Sequence, residues 1–302
     1  MVHVLQRSKL AFEAQQPVGL ARGEHLERDD AIALGVERLV HGAHAARAEA
    51  APDAKARRTS KRHLRFSVRD PLLFGAMAQP WRTLATTVTN EGRLELRQRG
   101  ADQFLIVVGG RVLMTNTARR SEEALATLAC ARLTQRAPHV LIGGLGMGFT
   151  LRAALDALPP AARVVVAELT AEVVVWCRGP LAPLTGGAVL DPRVEVVIED
   201  VSKTIAAAPA NGYDAILLDL YDGPNAATQR ASDPIYGAAA LARTHAALAT
   251  GGVLAVWSEE ADAPFARRLA AAGFAVETLR VGGGGRKHLV YLGVCRRVEE
   301  RG

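Results

Sequence analysis

The chain has 302 residues, of which 49% are hydrophobic and 23% charged, with a net charge of +6. That balance falls in the ordinary globular range and excludes an intrinsically disordered chain, a collagen-like repeat and a disulfide scaffold. Positive charge is carried mainly by arginine in an alanine-rich background, which permits weak contact with nucleic acid but specifies none, so no nucleic-acid partner is expected.

The three cysteines, Cys130, Cys177 and Cys295, lie far apart and form no CxxC pair. Neither a disulfide framework nor a metal site is expected, and a reducing compartment fits best. No apolar h-region opens the chain, and no apolar run is long enough to cross a bilayer. A soluble, cytoplasmic protein without membrane contact is therefore expected.

Three regions are predicted in chain order: an N-terminal extension over 1–80, a small antiparallel β domain over 81–120, and a Rossmann-like domain over 121–302. The extension is polar and rich in alanine and arginine. Its segment from Glu24 to Ala50 places Leu26, Ala33, Val36 and Val40 on one helical stripe. The basic run from Lys55 to Arg65 contains no acid and reads as a solvated, poorly ordered tail, with an arm for nucleic acid or an acidic partner as the alternative. From Trp81 to Asn116 the pattern becomes β. Arg93–Arg97 alternates strictly, Gln103–Val108 is an apolar run, and Gly109-Gly110 signals a hairpin turn. Ser121 is expected to N-cap a helix reaching about Thr134, with Glu122 and Glu123 in its first turn.

Strands and helices then alternate. Strands are predicted at 139–142, 163–168, 193–198, 213–219, 252–258, 274–280 and 287–294, with helices at 149–158, 170–178, 233–249 and 262–271. The early strands are continuous apolar runs such as Val164-Val165-Val166-Ala167, which suits parallel strands buried on both faces. Gly282–Gly285 joins the last two strands as a hairpin. The expected fold is α/β: a doubly wound, seven-stranded sheet that resembles the S-adenosylmethionine-dependent type, preceded by a small antiparallel β element. Ligand belongs at the carboxyl ends of its first strands.

Gly144, Gly146 and Gly148 form G-x-G-x-G after the first of these strands, and Phe149 stands where a dinucleotide fingerprint needs its last glycine. Glu168, about 20 residues further at the end of the second strand, suits a ribose, because one carboxylate can accept from both hydroxyls. Asp200 lies just past the third strand, where it can read an adenine amino group or cap a helix. Asp219 ends the fourth strand and Asp222 stands in the loop after it. Two carboxylates at that edge suit a cationic amine, one holding it and one accepting its proton. His139, His245 and His288 are isolated and are expected in structural or surface roles.

With those residues in place, Arg93 to Val294 resembles the spermidine synthase (polyamine aminopropyltransferase) family as a divergent branch. The resemblance is carried by Val140-Leu-Ile-Gly-Gly, Asp191-Pro-Arg-Val-Glu-Val-Val-Ile-Glu-Asp, Tyr213-Asp-Ala-Ile-Leu-Leu-Asp, and Ile235-Tyr with Gly251-Gly-Val-Leu. It implies transfer of an aminopropyl group from decarboxylated S-adenosylmethionine to a polyamine, with release of methylthioadenosine. By position, Gly144, Gly146, Gly148, Glu168 and Asp200 would hold the donor, Asp219 would be the base and Asp222 would help hold the acceptor. Glu122, Glu123, Met147 and Tyr221 fall at positions that line the family's substrate pocket.

Three departures accompany it. Met147 replaces the family's donor-gripping aspartate, Ser121-Glu122-Glu123 replaces Tyr-Gln/His-Glu, and Leu220-Tyr221 replaces the two serines between Asp219 and Asp222. Methyl transfer from intact S-adenosylmethionine and non-catalytic nucleoside binding are the alternatives. The family commonly forms homodimers, and none of its implied chemistry needs a metal.

Overall fold

The structure, a computed structural model, describes residues 79–221, 223–225, 232–282 and 287–296. The helix expected over 24–50, the basic run 55–65, Asp222 and most of the 282–285 hairpin tip lie outside them.

Four strands form the small sheet: β1 (Arg82–Thr89), β2 (Gly92–Arg99), β3 (Gln103–Val108) and β4 (Arg111–Thr115), in the order β1-β2-β3-β4. All its pairings are antiparallel. Gly109 and Gly110 close the β3–β4 hairpin with φ of 56° and 83°, two successive positive values that side chains resist. One face of β2 and β3 carries Leu94, Leu96, Phe104, Ile106 and Val108, all buried in one apolar cluster with Leu125 and Ala129 of the first helix. The small sheet and that helix therefore share one core.

This helix, α1, runs from Arg120 to Cys130 with Arg119 at its N-cap. Ser121 was expected to be the cap, and the structure corrects this. Its hydroxyl donates to the Glu122 carboxylate at 2.6 Å instead of accepting from a backbone amide, and the helix begins two residues earlier than expected. Glu122 and Glu123 do occupy the first turn, where carboxylates complement the helix dipole.

The large sheet contains β5 (His139–Gly143), β6 (Arg163–Glu168), β7 (Val194–Ile198), β8 (Tyr213–Leu218), β9 (Leu248–Ser258), β10 (Phe274–Val281) and β11 (His288–Cys295). Their order is β10-β11-β9-β8-β5-β6-β7. β5 through β9 pair in parallel, while β11 runs antiparallel between β9 and β10. Helices α2 (Phe149–Ala157), α3 (Ala171–Arg178), α4 (Ala182–Thr185), α5 (Val201–Ala207), α6 (Ala238–Ala247) and α7 (Ala263–Ala271) fill the connections. The helix expected from residue 233 starts later because the Asp233 carboxylate accepts from the amides of Ile235 and Tyr236 and holds a turn there. Leu141, Ile142, Ile216, Leu217, Leu254 and Val256 are at most 1% exposed, so the central strands are covered on both faces.

The chain reverses its winding at β5, which pairs with β6 on one side and β8 on the other. The crevice beyond the carboxyl ends of β5 and β8 is the switch point where open α/β sheets take ligands. Among the described residues, no helix is long and apolar enough to cross a membrane.

Candidate active site

β5 ends in Gly143 and runs straight into the glycine loop. Gly144, Gly146 and Gly148 have φ of 88°, 52° and 84°, values that disfavour any side chain by about 1–2 kcal/mol. Gly144 is constrained twice, since a Cβ there would run into the carbonyl oxygen of Asp219. The same tight passage is stitched by backbone bonds: Gly144 N–H donates to Ala167 O and Asp219 N–H to Gly143 O, each at 2.9 Å. Gly148 forms the N-cap of α2. Met147, within the loop, turns into the core and is 1% exposed, and Cys177 lies below, its thiol meeting the Gly146 carbonyl at 3.3 Å. Burial and the nearby Glu168 push that thiol up to about 12, so it is an inert support.

Glu168 ends β6 and faces the loop. Its Oε2 accepts from Leu145 N–H at 2.8 Å and its Oε1 from Thr170 N–H at 2.9 Å. Burial raises its pKa, opposed by the backbone amides of Thr170, Leu145, Leu169 and Gly146. Asp200 caps α5, with Oδ1 accepting from Ser202 N–H at 2.8 Å. Leu169 and Ile198, at the same two strand ends, are 61% and 52% exposed. Periodicity offers no sign of this, because both continue apolar strands and look like core.

Asp219 stands just beyond β8, beside the start of the glycine loop. Its Oδ2 accepts from Thr150 Oγ1 at 2.6 Å, and that hydroxyl also lies 3.3 Å from the Glu122 carbonyl oxygen. Surrounding protein and the Glu122 carboxylate push Asp219 up to about 7, against the Thr150 bond that stabilises its charge. Its pKa therefore stands near neutrality, which suits a proton acceptor.

The remaining expected residues divide. Glu122 belongs to this cluster, while Glu123 makes a half-exposed ion pair with Arg119 at 3.1 Å. Tyr221 lies under the Arg111 guanidinium, 4.9 Å from the ring centroid, so the β3–β4 hairpin leans over the loop after β8. His288 is not isolated, contrary to its expected role. Its Nδ1 is 3.0 Å from Ser121 Oγ, and its ring packs 5.0 Å from that of Trp257, whose indole N–H is buried with no hydrogen-bond partner among the described residues. His139 and His245 are structural: one bonds the Gly212 carbonyl and the other packs on Phe274. Thr150, Ser121 and His288 were missed as site residues, and no local pattern marks them. Ser121 and His288 are 167 residues apart.

A glycine loop and two acids, one of them raised toward neutrality, thus meet at one switch point, and comparison with known proteins finds relatives of this chain. A polyamine aminopropyltransferase of Corynebacterium efficiens is 36% identical over 166 residues, which cover 54% of this chain and 30% of that protein. The chain resembles the polyamine aminopropyltransferases. Putrescine N-methyltransferase 3 of Nicotiana tabacum is 34% identical over 120 residues, covering 40% of this chain and 30% of that one. These matches thus span about a third of the length of the curated relatives. The spermidine synthase of Thermotoga maritima has the same fold, with a TM-score of 0.60 at 18% identity, covering 75% of this chain and 84% of that one. No family model matches the chain.

Proposed function

We propose that the chain moves an aminopropyl group from decarboxylated S-adenosylmethionine to a polyamine-type acceptor, with Asp219 as general base. The observation that carries this reading is the Asp219 carboxyl, held by Thr150 at 2.6 Å at the switch point beside the glycine loop, where its surroundings push its pKa up. Gly144, Gly146 and Gly148 let the backbone approach the donor, and Glu168 takes its ribose hydroxyls. Asp200 serves the adenine amino group between Leu169 and Ile198.

The acceptor arrives as an ammonium of pKa near 10.4, which cannot attack carbon until it gives up a proton. Its nitrogen lone pair then forms a bond to the methylene beside sulfur. The carbon–sulfur bond breaks, and sulfur keeps the electron pair as a neutral thioether. The ammonium proton passes to Asp219. From an amine near 10.4 to an ordinary aspartate that transfer is uphill by roughly 9 kcal/mol; to a carboxylate near 7 it is uphill by roughly 4 to 5. Burial of Asp219 thus halves the cost. In the resemblance Asp222 helps hold the amine, and Tyr221 walls the same loop.

A second reading, methyl transfer from intact S-adenosylmethionine to the same amine, is favoured by the likeness to putrescine N-methyltransferase and by apolar Met147 in the loop. Incubation with putrescine and each donor in turn, with the nucleoside product identified by mass spectrometry, separates the two. Methylthioadenosine supports aminopropyl transfer; S-adenosylhomocysteine supports methyl transfer.

A further inference from the structure

We propose that His288 and Ser121 form a positioning chain that fixes Glu122 as a second carboxylate beside Asp219, making the pair a clamp for a primary ammonium. The inference rests on the reading of this edge as the amine site, and it concerns side chains brought together from the two ends of the domain.

The hydrogen bonds fix their own direction. A serine hydroxyl has one proton, and Ser121 gives it to Glu122 Oε2 at 2.6 Å. Ser121 Oγ, 3.0 Å from His288 Nδ1, must then accept, so Nδ1 is the protonated ring nitrogen. The chain reads His288 N–H to Ser121 O–H to Glu122 carboxylate, each bond polarising the next. Ser121 is only 4% exposed, so its hydroxyl has little water to turn to. The Trp257 ring packs against the imidazole, and the β9–β11 pairing sets Leu289 opposite Ser258, which holds the start of β11 at the active edge.

The other end of the clamp is fixed by Thr150. Its hydroxyl gives its proton to the Asp219 carboxylate at 2.6 Å and lies 3.3 Å from the Glu122 backbone carbonyl, so Asp219 and the first turn of α1 sit on opposite sides of one side chain. A glutamate in the first turn of a helix would otherwise swing its carboxylate to water, away from a like charge. Holding it near Asp219 costs repulsion that a bound cation relieves, and this selects an ammonium over a neutral or acidic ligand. Ser121 and His288 touch neither substrate nor reacting atoms; they act through Glu122.

The test is calorimetric titration of putrescine, spermidine and propylamine into full-length protein saturated with methylthioadenosine, at pH 8. Ser121→Ala and His288→Phe should weaken amine binding about tenfold to a hundredfold, the loss of one bond to a charged group. His288→Asn, whose amide replaces the Nδ1 donor, should stay within about threefold of the parent. Methylthioadenosine affinity should hold in all three variants, which reports that they fold. The proposal is overturned if the parent binds none of these amines, if Ser121→Ala and His288→Phe bind them like the parent, or if His288→Asn is as weak as His288→Phe. Turnover is read separately. Amine binding that shows the expected pattern without aminopropyl transfer would sink the proposed reaction and leave the clamp standing. Transfer whose acceptor KM ignores Ser121→Ala and His288→Phe would do the reverse.

Discussion

Replacing Asp219 with asparagine should make the protein more stable at alkaline pH while removing the proposed transfer activity. An unfolded aspartate ionises at 3.8, and the folded environment raises Asp219 to about 7. Between those values the folded chain keeps a proton that the unfolded chain has released. This group's contribution is therefore most favourable below about pH 4, declines as pH rises, and is fully unfavourable above about pH 7. The interval of about three pH units corresponds to roughly 4 kcal/mol, an upper bound that relaxation of the surrounding protein reduces to about 2 kcal/mol. Asparagine is nearly isosteric, keeps an oxygen for the Thr150 hydroxyl and carries no charge. Urea unfolding at pH 5 and pH 8 should show Asp219→Asn stabilised by about 2 kcal/mol at pH 8 and by much less at pH 5. Equal or lower stability of the variant at pH 8 would refute the claim that an unfavourable buried charge is kept here for chemistry.

Other perturbations address the remaining parts of the site. Thr150→Val removes the hydroxyl that favours ionised Asp219, so the alkaline rise of kcat/KM, centred near pH 7 in the parent, should move about one to two pH units higher. Gly144→Ala forces a left-handed backbone and a clash with the Asp219 carbonyl; thermal unfolding should show a loss above about 2 kcal/mol, accompanied by lost nucleoside binding. Glu168→Gln turns an amide NH2 toward one of two backbone donors, and methylthioadenosine affinity measured by calorimetry should fall about tenfold or more. Arg111→Ala unstacks Tyr221, and should change acceptor KM while leaving stability within about 1 kcal/mol.

The sheet was legible in the sequence because its strands are long apolar runs punctuated by glycine and acid. The predicted edges of β6 and β8 fall within a residue of those observed, and the last two strands pair antiparallel as expected. Gly144 and Glu168 were legible for a related reason, since both are fixed by local backbone geometry at a strand end. Of the Glu122 cluster, Glu122 and Asp219 were expected at the site, but Ser121, Thr150 and His288 were not legible. The cluster's members come from α1, α2, the end of β8 and the start of β11, and only the packed sheet edge brings them together. The misplaced helix start has the same origin: nothing local shows that Ser121 spends its proton on a neighbouring carboxylate. Leu169 and Ile198 escaped notice because an apolar residue at a strand end looks the same in sequence whether covered or open.

The measurement that bears most directly on the proposed chemistry is product analysis with decarboxylated S-adenosylmethionine and putrescine, comparing the parent chain with Asp219→Asn. The account predicts methylthioadenosine and an aminopropylated amine from the parent, and loss of both in a variant that still binds methylthioadenosine. Undiminished turnover by Asp219→Asn, or S-adenosylhomocysteine formed from the intact donor in its place, would contradict it.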